Sequence, residues 1–209
     1  MINGGTAITD KIKPFDRVIS SLRMEAGGIE DFELAVRCLA VIAGVTCDLA
    51  DINRAKEKID EGGKYFRSKL LPLLVLALAR NGHLKEARNI AGEMAGLDAF
   101  WVTIAWAFIA RYSGEESDKQ RLQAAFLNIN TPEARNWATA DCKFLAVKHI
   151  HAGKPKDKHL ADLRILLRIV RELRGIEDMH KVPISRTSAS LYYLVVEVTS
   201  RFFNESMRE

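Results

Sequence analysis

Residues that break regular structure, and residues that cross-link chains, are scarce in this sequence. Five prolines and 13 glycines among 209 residues exclude collagen-like and low-complexity proteins. The three cysteines are an odd number and show no Cys-x-x-Cys spacing. Each lies in an apolar segment, which fits reduced, buried thiols in a reducing compartment rather than a disulfide framework.

Long hydrophobic runs are also missing. The longest stretch without a charged residue is the twelve-residue segment Ala99–Ala110, which is too short to span a bilayer. The first residues lack the basic-then-apolar pattern of a cleavable secretion signal. We therefore expect a cytoplasmic protein that makes no membrane contact.

The composition that remains is that of a folded protein. Hydrophobic residues make up 48% of the chain and charged residues 28%, with a net charge of +4. These fractions exclude an intrinsically disordered chain, which is poor in hydrophobic residues. A length of 209 residues suits one compact domain or one short helical array.

Prolines and glycines divide the chain into segments with helical periodicity, and no segment shows sustained strand alternation with hairpin turns. The pattern predicts an all-α fold of about ten antiparallel helices, over residues 14–26, 30–49, 51–61, 65–81, 83–95, 98–113, 116–128, 132–152, 157–174 and 185–204. Each proline, Pro72 included, is assigned to the start of a helix, and Gly175 to the end of one. Gly44 and Gly92 fall inside helices, which close helix packing would explain.

A repeat of 32 residues runs through the middle of the chain. Ala55 and Ala87 occupy matching positions (87 − 55 = 32), and Gly82 and Gly114 occupy matching turns (114 − 82 = 32). A period in the low thirties with two helices per unit is typical of stacked helical repeats. Two of the helices are apolar on every face, so we expect them to be buried. Their central side chains are Leu74, Leu78, Trp106 and Phe108.

The unit at 71–87 resembles the tetratricopeptide-like repeat family, of the TPR and PPR type. It carries that family's turn glycine, Gly82, the apolar residue Leu84 after it, and the small second-helix residue Ala87. The family's signature tryptophan, helix-A tyrosine and closing proline are absent from this unit. The resemblance covers about residues 30–175 and implies helix pairs stacked as a short right-handed α-solenoid.

Three parts of one domain follow from this resemblance. Residues 1–29 are an N-terminal segment with one helix, 30–175 are the TPR-like array, and 176–209 are a C-terminal capping helix. That last helix has an apolar stripe that includes Leu194 and Val198.

The function that the resemblance implies is a non-catalytic scaffold, adaptor or chaperone-like protein that binds a peptide or amphipathic helix in a concave groove. The alignment of Gly82 with Gly114 gives the predicted partner-binding residues, which are Leu76, Ala79, Arg80, Phe108, Arg111 and Tyr112. An apolar floor with an arginine–tyrosine rim suits a partner helix with acidic flanks. The chain's own final helix, or a second copy of the chain in a homo-oligomer, is an alternative occupant.

A second surface is basic. Arg164, Arg168 and Arg171 lie on one stripe of a predicted helix and form a candidate face for an anionic partner. An RNA-binding helical-repeat protein is therefore an alternative function, as is a homodimerising structural component. The sequence does not favour nucleic acid, because the regular set of polar base-reading positions is missing.

Signatures of catalysis and of metal binding are thin. No nucleotide-binding, serine-hydrolase or zinc-protease motif is present. His149 and His151 are two residues apart on a predicted helix, so they point in different directions. An enzyme on this scaffold would use isolated buried carboxylates, such as Asp141 or Asp162, for its chemistry. We expect no enzyme activity, no cofactor and no metal.

Overall fold

A computed structural model describes residues 14–145 and 160–180, together with Thr199. The described ranges are helical and contain no strand. They hold nine helices, which are α1 (Pro14–Gly27), α2 (Phe32–Thr46), α3 (Leu49–Glu61), α4 (Gly63–Arg80), α5 (Leu84–Glu93), α6 (Ala99–Ser113), α7 (Glu116–Leu127), α8 (Pro132–Leu145) and α9 (Leu160–His180). The predicted all-α class is confirmed. The predicted helix 185–204 lies outside the described residues except for Thr199, which is helical and fully buried.

The helices pack in a regular order. Each of α2, α4 and α6 packs on the helix that follows it, which gives three pairs. Each of them also packs on the helix two places further along the chain, so that α2 meets α4, α4 meets α6, and α6 meets α8. The helix α9 departs from this order because it packs on α1. None of the helices in the described part of the chain is long and apolar enough to cross a membrane.

The core lies between the first helices of these pairs and their neighbours. Almost all of α2 from Leu34 to Val45 is buried, and so is nearly all of α4 from Leu70 to Ala79. Trp106 is 7% exposed and has the Arg121 guanidinium 5.0 Å from its ring centroid. Leu74 and Leu78 are buried and Phe108 is partly buried against the core, so the predicted central contacts are confirmed.

Three details of the predicted helices are wrong. The segment 30–49 is not one helix, because α2 ends at Thr46 and Asp48 caps α3 by accepting a hydrogen bond from the Ala50 amide. Pro72 lies in the interior of α4 rather than at its start. The last described helix does not end at Gly175, since α9 runs on to His180. An interior glycine costs a helix only about 1 kcal/mol, which the packing of α9 on α1 outweighs.

The two glycines inside predicted helices differ in their surroundings. A Cβ atom on Gly44 would lie 2.7 Å from the Ala77 Cβ and 2.7 Å from the Ala77 carbonyl oxygen, so α2 and α4 approach closely there. The predicted packing role of Gly44 is confirmed. The same prediction for Gly92 is wrong, because no atom outside its own stretch of helix lies within 4 Å of the position its Cβ would take.

The glycine pair gives a matched test of helix packing. We expect Gly44→Ala to lower the free energy of unfolding by about 1–3 kcal/mol, because the new methyl overlaps a backbone carbonyl. We expect Gly92→Ala to leave it unchanged or raise it by up to about 1 kcal/mol, because alanine is the better helix former. Urea unfolding followed by circular dichroism measures both. Equal effects of the two substitutions would contradict the close approach of α2 to α4.

Candidate protein-binding surface

The turns between the two helices of a pair share one feature, although the middle turn is one residue longer because Asn81 lies between the end of α4 and Gly82. One residue with a positive φ, Cys47, Gly82 or Gly114, is followed by the N-cap of the second helix. The third residue of each second helix is acidic, and these residues are Asp51, Glu86 and Asp118. A carboxylate is favourable at this place because the free amides and the dipole of a helix start attract negative charge.

In the first pair, this carboxylate is held by an arginine from α1. Asp51 is 5% exposed. Its two carboxylate oxygens accept hydrogen bonds of 2.7 and 2.6 Å from Nε and one terminal nitrogen of Arg23. That terminal nitrogen also lies 3.3 Å from Asp48, the N-cap. The Thr46 hydroxyl lies 2.7 Å from Asp51 Oδ2 and accepts a hydrogen bond from the Asp48 amide.

The third pair repeats this arrangement with other residues. Asp118 is 1% exposed and accepts hydrogen bonds of 3.0 and 2.7 Å from Nε and one terminal nitrogen of Arg88 on α5. That terminal nitrogen is also 2.7 Å from Glu115, the N-cap. The Ser113 hydroxyl hydrogen-bonds to Asp118 and accepts from the Glu115 amide. We call the two arrangements the Arg23 clamp and the Arg88 clamp.

The middle pair has the turn without the clamp. Glu86 is half-buried and forms no ion pair with any other residue that the structure describes. The basic residue that α3 presents to α5 is Lys56, which pairs with Glu93 at 2.5 Å instead. The N-cap is His83. Burial lowers the pKa of His83, and the negative charge of Glu86 opposes this with a smaller effect that raises it. The clamps therefore flank a middle turn of different chemistry.

The charges in the Arg88 clamp support one another. Burial acts to raise the pKa of Asp118, but the hydrogen bonds from Arg88 and Ser113 outweigh it and the pKa is lowered. The pKa of Arg88 is raised, chiefly by its hydrogen bonds to Asp118 and Glu115. Both groups therefore stay ionised at neutral pH.

A sequence signal for the clamps exists, although the spacing of the turn glycines does not reveal it. The pattern Ser/Thr-x-Asp/Glu-x-x-Asp occurs at 46–51 and again at 113–118, which are 67 residues apart (113 − 46 = 67). Cys47 takes the left-handed position that Gly114 takes in the second copy. Because the residue at that position is a cysteine, a search for turn glycines misses the first pair.

The residues predicted to bind a partner lie at the C-terminal ends of α4 and α6, beside two of these turns. Leu76 and Ala79 are buried, at 6% and 1% exposure. The other four, Arg80, Phe108, Arg111 and Tyr112, are half-buried. The Arg111 guanidinium lies 5.6 Å from the centroid of the Tyr112 ring. Because α4 packs on α6, the residues predicted on α4 and those predicted on α6 lie on neighbouring helices. Most of their accessible surface comes from the four half-buried residues.

The basic stripe lies on α9. Arg164, Arg168 and Arg171 are all exposed. Arg171 differs from the other two because its Nε lies 3.3 Å from Oε1 of Glu25 on α1. Arg174 also pairs with Glu25, at 3.6 Å. One of the three predicted residues of this face is thus used in the packing of α9 on α1.

The described part of the chain holds little that suggests catalysis or metal binding. Cys38 and Cys47 are free thiols, and burial raises the pKa of Cys38 to about 12. Burial and the nearby Glu86 also raise the pKa of Cys47, so this half-buried thiol stays protonated. Within the described ranges, no group of three or more potential metal ligands comes together. The side chains of Asp141 and Asp162, the segment 149–159 and the thiol of Cys142 lie outside what the structure describes.

Comparisons with known proteins give no further identification. No protein-family model matches this chain, and no curated protein or solved structure matches it either.

The Arg88 clamp and the middle pair offer a matched substitution test. We expect Arg88→Met to lower the free energy of unfolding by about 3 kcal/mol, because it leaves the Asp118 carboxylate buried without its cation. Lys56→Met should cost less than about 1 kcal/mol, since the Glu93 side chain that it leaves unpaired is 43% exposed and stays in water. Chemical unfolding at pH 7 measures both, and similar losses for the two variants would mean that the clamp does not stabilise the fold.

Unfolding measured over a series of pH values separates the effect of the Asp118 charge on stability from the effect of its size and hydrogen bonds. Because folding lowers its pKa, Asp118 contributes stability above its unfolded pKa of about 3.9, and that contribution is lost as the pH falls through the folded pKa. The difference in stability between the native chain and Asp118→Asn should therefore be full at pH 7 and shrink below about pH 4. A difference independent of pH would show that the carboxylate charge plays no part.

Proposed function

We propose that this chain is a short right-handed α-solenoid of TPR-like helix pairs and acts as a non-catalytic scaffold that binds another protein in the cytoplasm. The observation that carries the proposal is the residue with a positive φ that comes directly before the N-cap of the second helix in all three pairs, at 47, 82 and 114. Because the first helices of the pairs pack on one another in chain order, equivalent side chains repeat from helix to helix. Such repetition gives helical-repeat proteins an extended binding surface.

The partner contact that we propose lies at the ends of α4 and α6. Arg80 and Arg111 supply positive charge, and Phe108 and Tyr112 supply aromatic surface that is half-buried. Arginine and tyrosine are enriched in protein interfaces because they combine apolar contact area with hydrogen bonding. This chemistry suits an amphipathic helix with acidic residues beside its apolar stripe. Leu76 and Ala79 are buried at the same end of α4, so they contribute little accessible surface to this contact.

The Arg88 clamp supports this surface from the same turn. It fixes the start of α7 through Asp118 and Glu115, directly after the end of α6 that carries Arg111 and Tyr112. A side chain held on a fixed helix end loses less conformational entropy when a partner binds. The clamp therefore favours a preorganised contact.

A pair of charge reversals tests this surface against the other basic face. Arg80→Glu with Arg111→Glu should reduce recovery of the partner at least tenfold, because it replaces attraction to carboxylates by repulsion. Arg164→Glu with Arg168→Glu makes the same charge change on α9 and should leave recovery unchanged. Affinity purification from cells with quantitative mass spectrometry measures recovery for the native chain and both variants.

The controls separate binding from folding. Thermal melts are recorded for every variant, and if the charge reversal lowers the melting temperature by more than a few degrees, Arg80→Gln with Arg111→Gln replaces it. A protein that both α4–α6 variants retain, and that the α9 variant loses, would move the interface to α9. RNA in place of protein in the purified complex would favour the RNA-binding alternative.

A further inference from the structure

Each first helix has one half-buried residue in a stretch that is otherwise buried. The stretches are Leu34–Val45 in α2, Leu70–Ala79 in α4 and Thr103–Ile109 in α6. Their half-buried residues are Arg37, Leu73 and Phe108. We call these three residues the inner row, because they are the places where the buried middles of the first helices remain accessible.

Arg37 and Leu73 lie at the contact between α2 and α4. Glu33 of α2 pairs with Lys69 of α4 at 2.7 Å. Arg37 comes four residues after Glu33, and Leu73 comes four residues after Lys69. Because residues four apart lie on the same side of a helix, the arginine and the leucine are both one turn beyond this ion pair.

Arg37 has no acceptor in the described part of the chain. Its Nε atom is buried without a hydrogen-bond partner, and Glu33, one turn earlier, is held by Lys69. Arg67 also has a buried Nε without a hydrogen bond, but that atom lies 3.3 Å from Asp60. A guanidinium stays ionised in proteins, and a buried donor without an acceptor costs free energy. No ion pair with a described residue therefore explains the charge of Arg37.

The arginines that stabilise the fold are held in a different way. Arg23 and Arg88 each bind two carboxylates of a helix start, and one of the two is buried in each case. Removal of either arginine leaves a buried carboxylate without its cation. Removal of Arg37 leaves no such group among the described residues, so its charge is available to a partner.

The accessible side of α4 is apolar with positive charge at both ends. Leu73 and Phe108 supply hydrocarbon, and Arg37 lies beside Leu73 at one end. Arg80 is seven residues beyond Leu73 (80 − 73 = 7), which is about 10 Å of helix rise. A partner helix that follows α4 matches this pattern with two carboxylates that are seven residues apart and flank an apolar stripe.

We propose that Arg37 extends the partner surface onto α2 and receives a carboxylate of the partner helix, whose apolar side lies on Leu73 and Phe108. The occupant is a helix of another protein with two acidic residues two turns apart, one at Arg37 and one at the Arg80 end of the surface. The proposal rests on the proposed function, because it lengthens the surface at the ends of α4 and α6.

Designed peptides test this spacing on the full chain. The probe is a fluorescein-labelled helical peptide of about 18 residues with a leucine stripe and two glutamates seven residues apart. Three further peptides have glutamine in place of the first glutamate, the second or both. In fluorescence anisotropy, the probe should bind about tenfold more tightly than either single-glutamine peptide, and added salt should weaken its binding.

A cycle of substitutions assigns one glutamate to Arg37. Arg37→Met should weaken binding of the probe about tenfold, and in this variant one of the two glutamine replacements should have no further effect. Arg17→Met, at an exposed position on α1, is the matched control and should leave binding unchanged. If Arg37→Met does not fold, Arg37→Gln takes its place.

Thermal melts separate a binding role of Arg37 from a structural one. Arg37→Met should leave the melting temperature unchanged or raise it, because it breaks no ion pair among the described residues and removes a buried donor without an acceptor. Arg88→Met should lower the melting temperature by several degrees, because it leaves Asp118 unpaired. An equal loss for the two variants would make Arg37 a structural residue and overturn the proposal.

The other outcomes distinguish this proposal from the proposed function. Probe binding that Arg37→Met leaves unchanged would overturn the role of Arg37 alone, whereas no binding by any of the four peptides would overturn both. A dimer of the native chain in analytical ultracentrifugation that Arg37→Met dissociates would make a second copy the occupant. A zero-length cross-link between Lys69 and Glu197 in the free chain would make the predicted final helix the occupant. Either result would overturn the proposal.

Discussion

A buried carboxylate at the start of a second helix is the constraint on which this arrangement of helices depends. Asp51 and Asp118 are 5% and 1% exposed, and an ionised carboxylate at such a depth needs a cation and hydrogen bonds. In each case the cation comes from the helix two places earlier, from α1 for α3 and from α5 for α7. Each clamp therefore fixes one second helix against the helix two places before it, α3 against α1 and α7 against α5.

The first helices impose the complementary constraint. Because α2 and α4 are apolar on nearly every side, neither is stable with a face in water, and each needs neighbours around it. The close approach at Gly44 and Ala77 brings the two backbones together. Hydrophobic burial is non-directional, so it explains why these helices are inside without setting their register. The ion pairs from α1 to α3 and from α5 to α7 supply that information for these helices.

The sequence predicted the helices well because periodicity, caps and turn glycines are local signals. It predicted the buried positions of Trp106, Leu74 and Leu78 for the same reason. The clamps were not predicted, because Arg23 and Asp51 are 28 residues apart and Arg88 and Asp118 are 30 apart, and no local pattern indicates which arginine meets which aspartate.

Burial at the candidate surface also depends on distant parts of the chain. The sequence supports two expectations for Leu76, burial within a helix that is apolar on every face and access from a groove. Its 6% exposure fits the first, because packing across the fold covers this face. Arg171 was assigned to a free basic stripe because Glu25, its partner, is 146 residues earlier. Sequence patterns predict those features that neighbours along the chain determine, such as helices and caps. They do not predict burial or ion pairs that depend on packing between distant segments.

The first helices of the pairs, α2, α4 and α6, pack on one another as one interior layer, and the second helices lie outside it. Amide hydrogen exchange of the full chain at pH 7, read by mass spectrometry, measures this most directly. We expect peptides from α2, α4 and α6 to exchange slowest and at one common rate, set by global unfolding, and peptides from α7 to exchange faster. Exchange of α4 as fast as that of α7, or separate rates for α2 and α6, would contradict it.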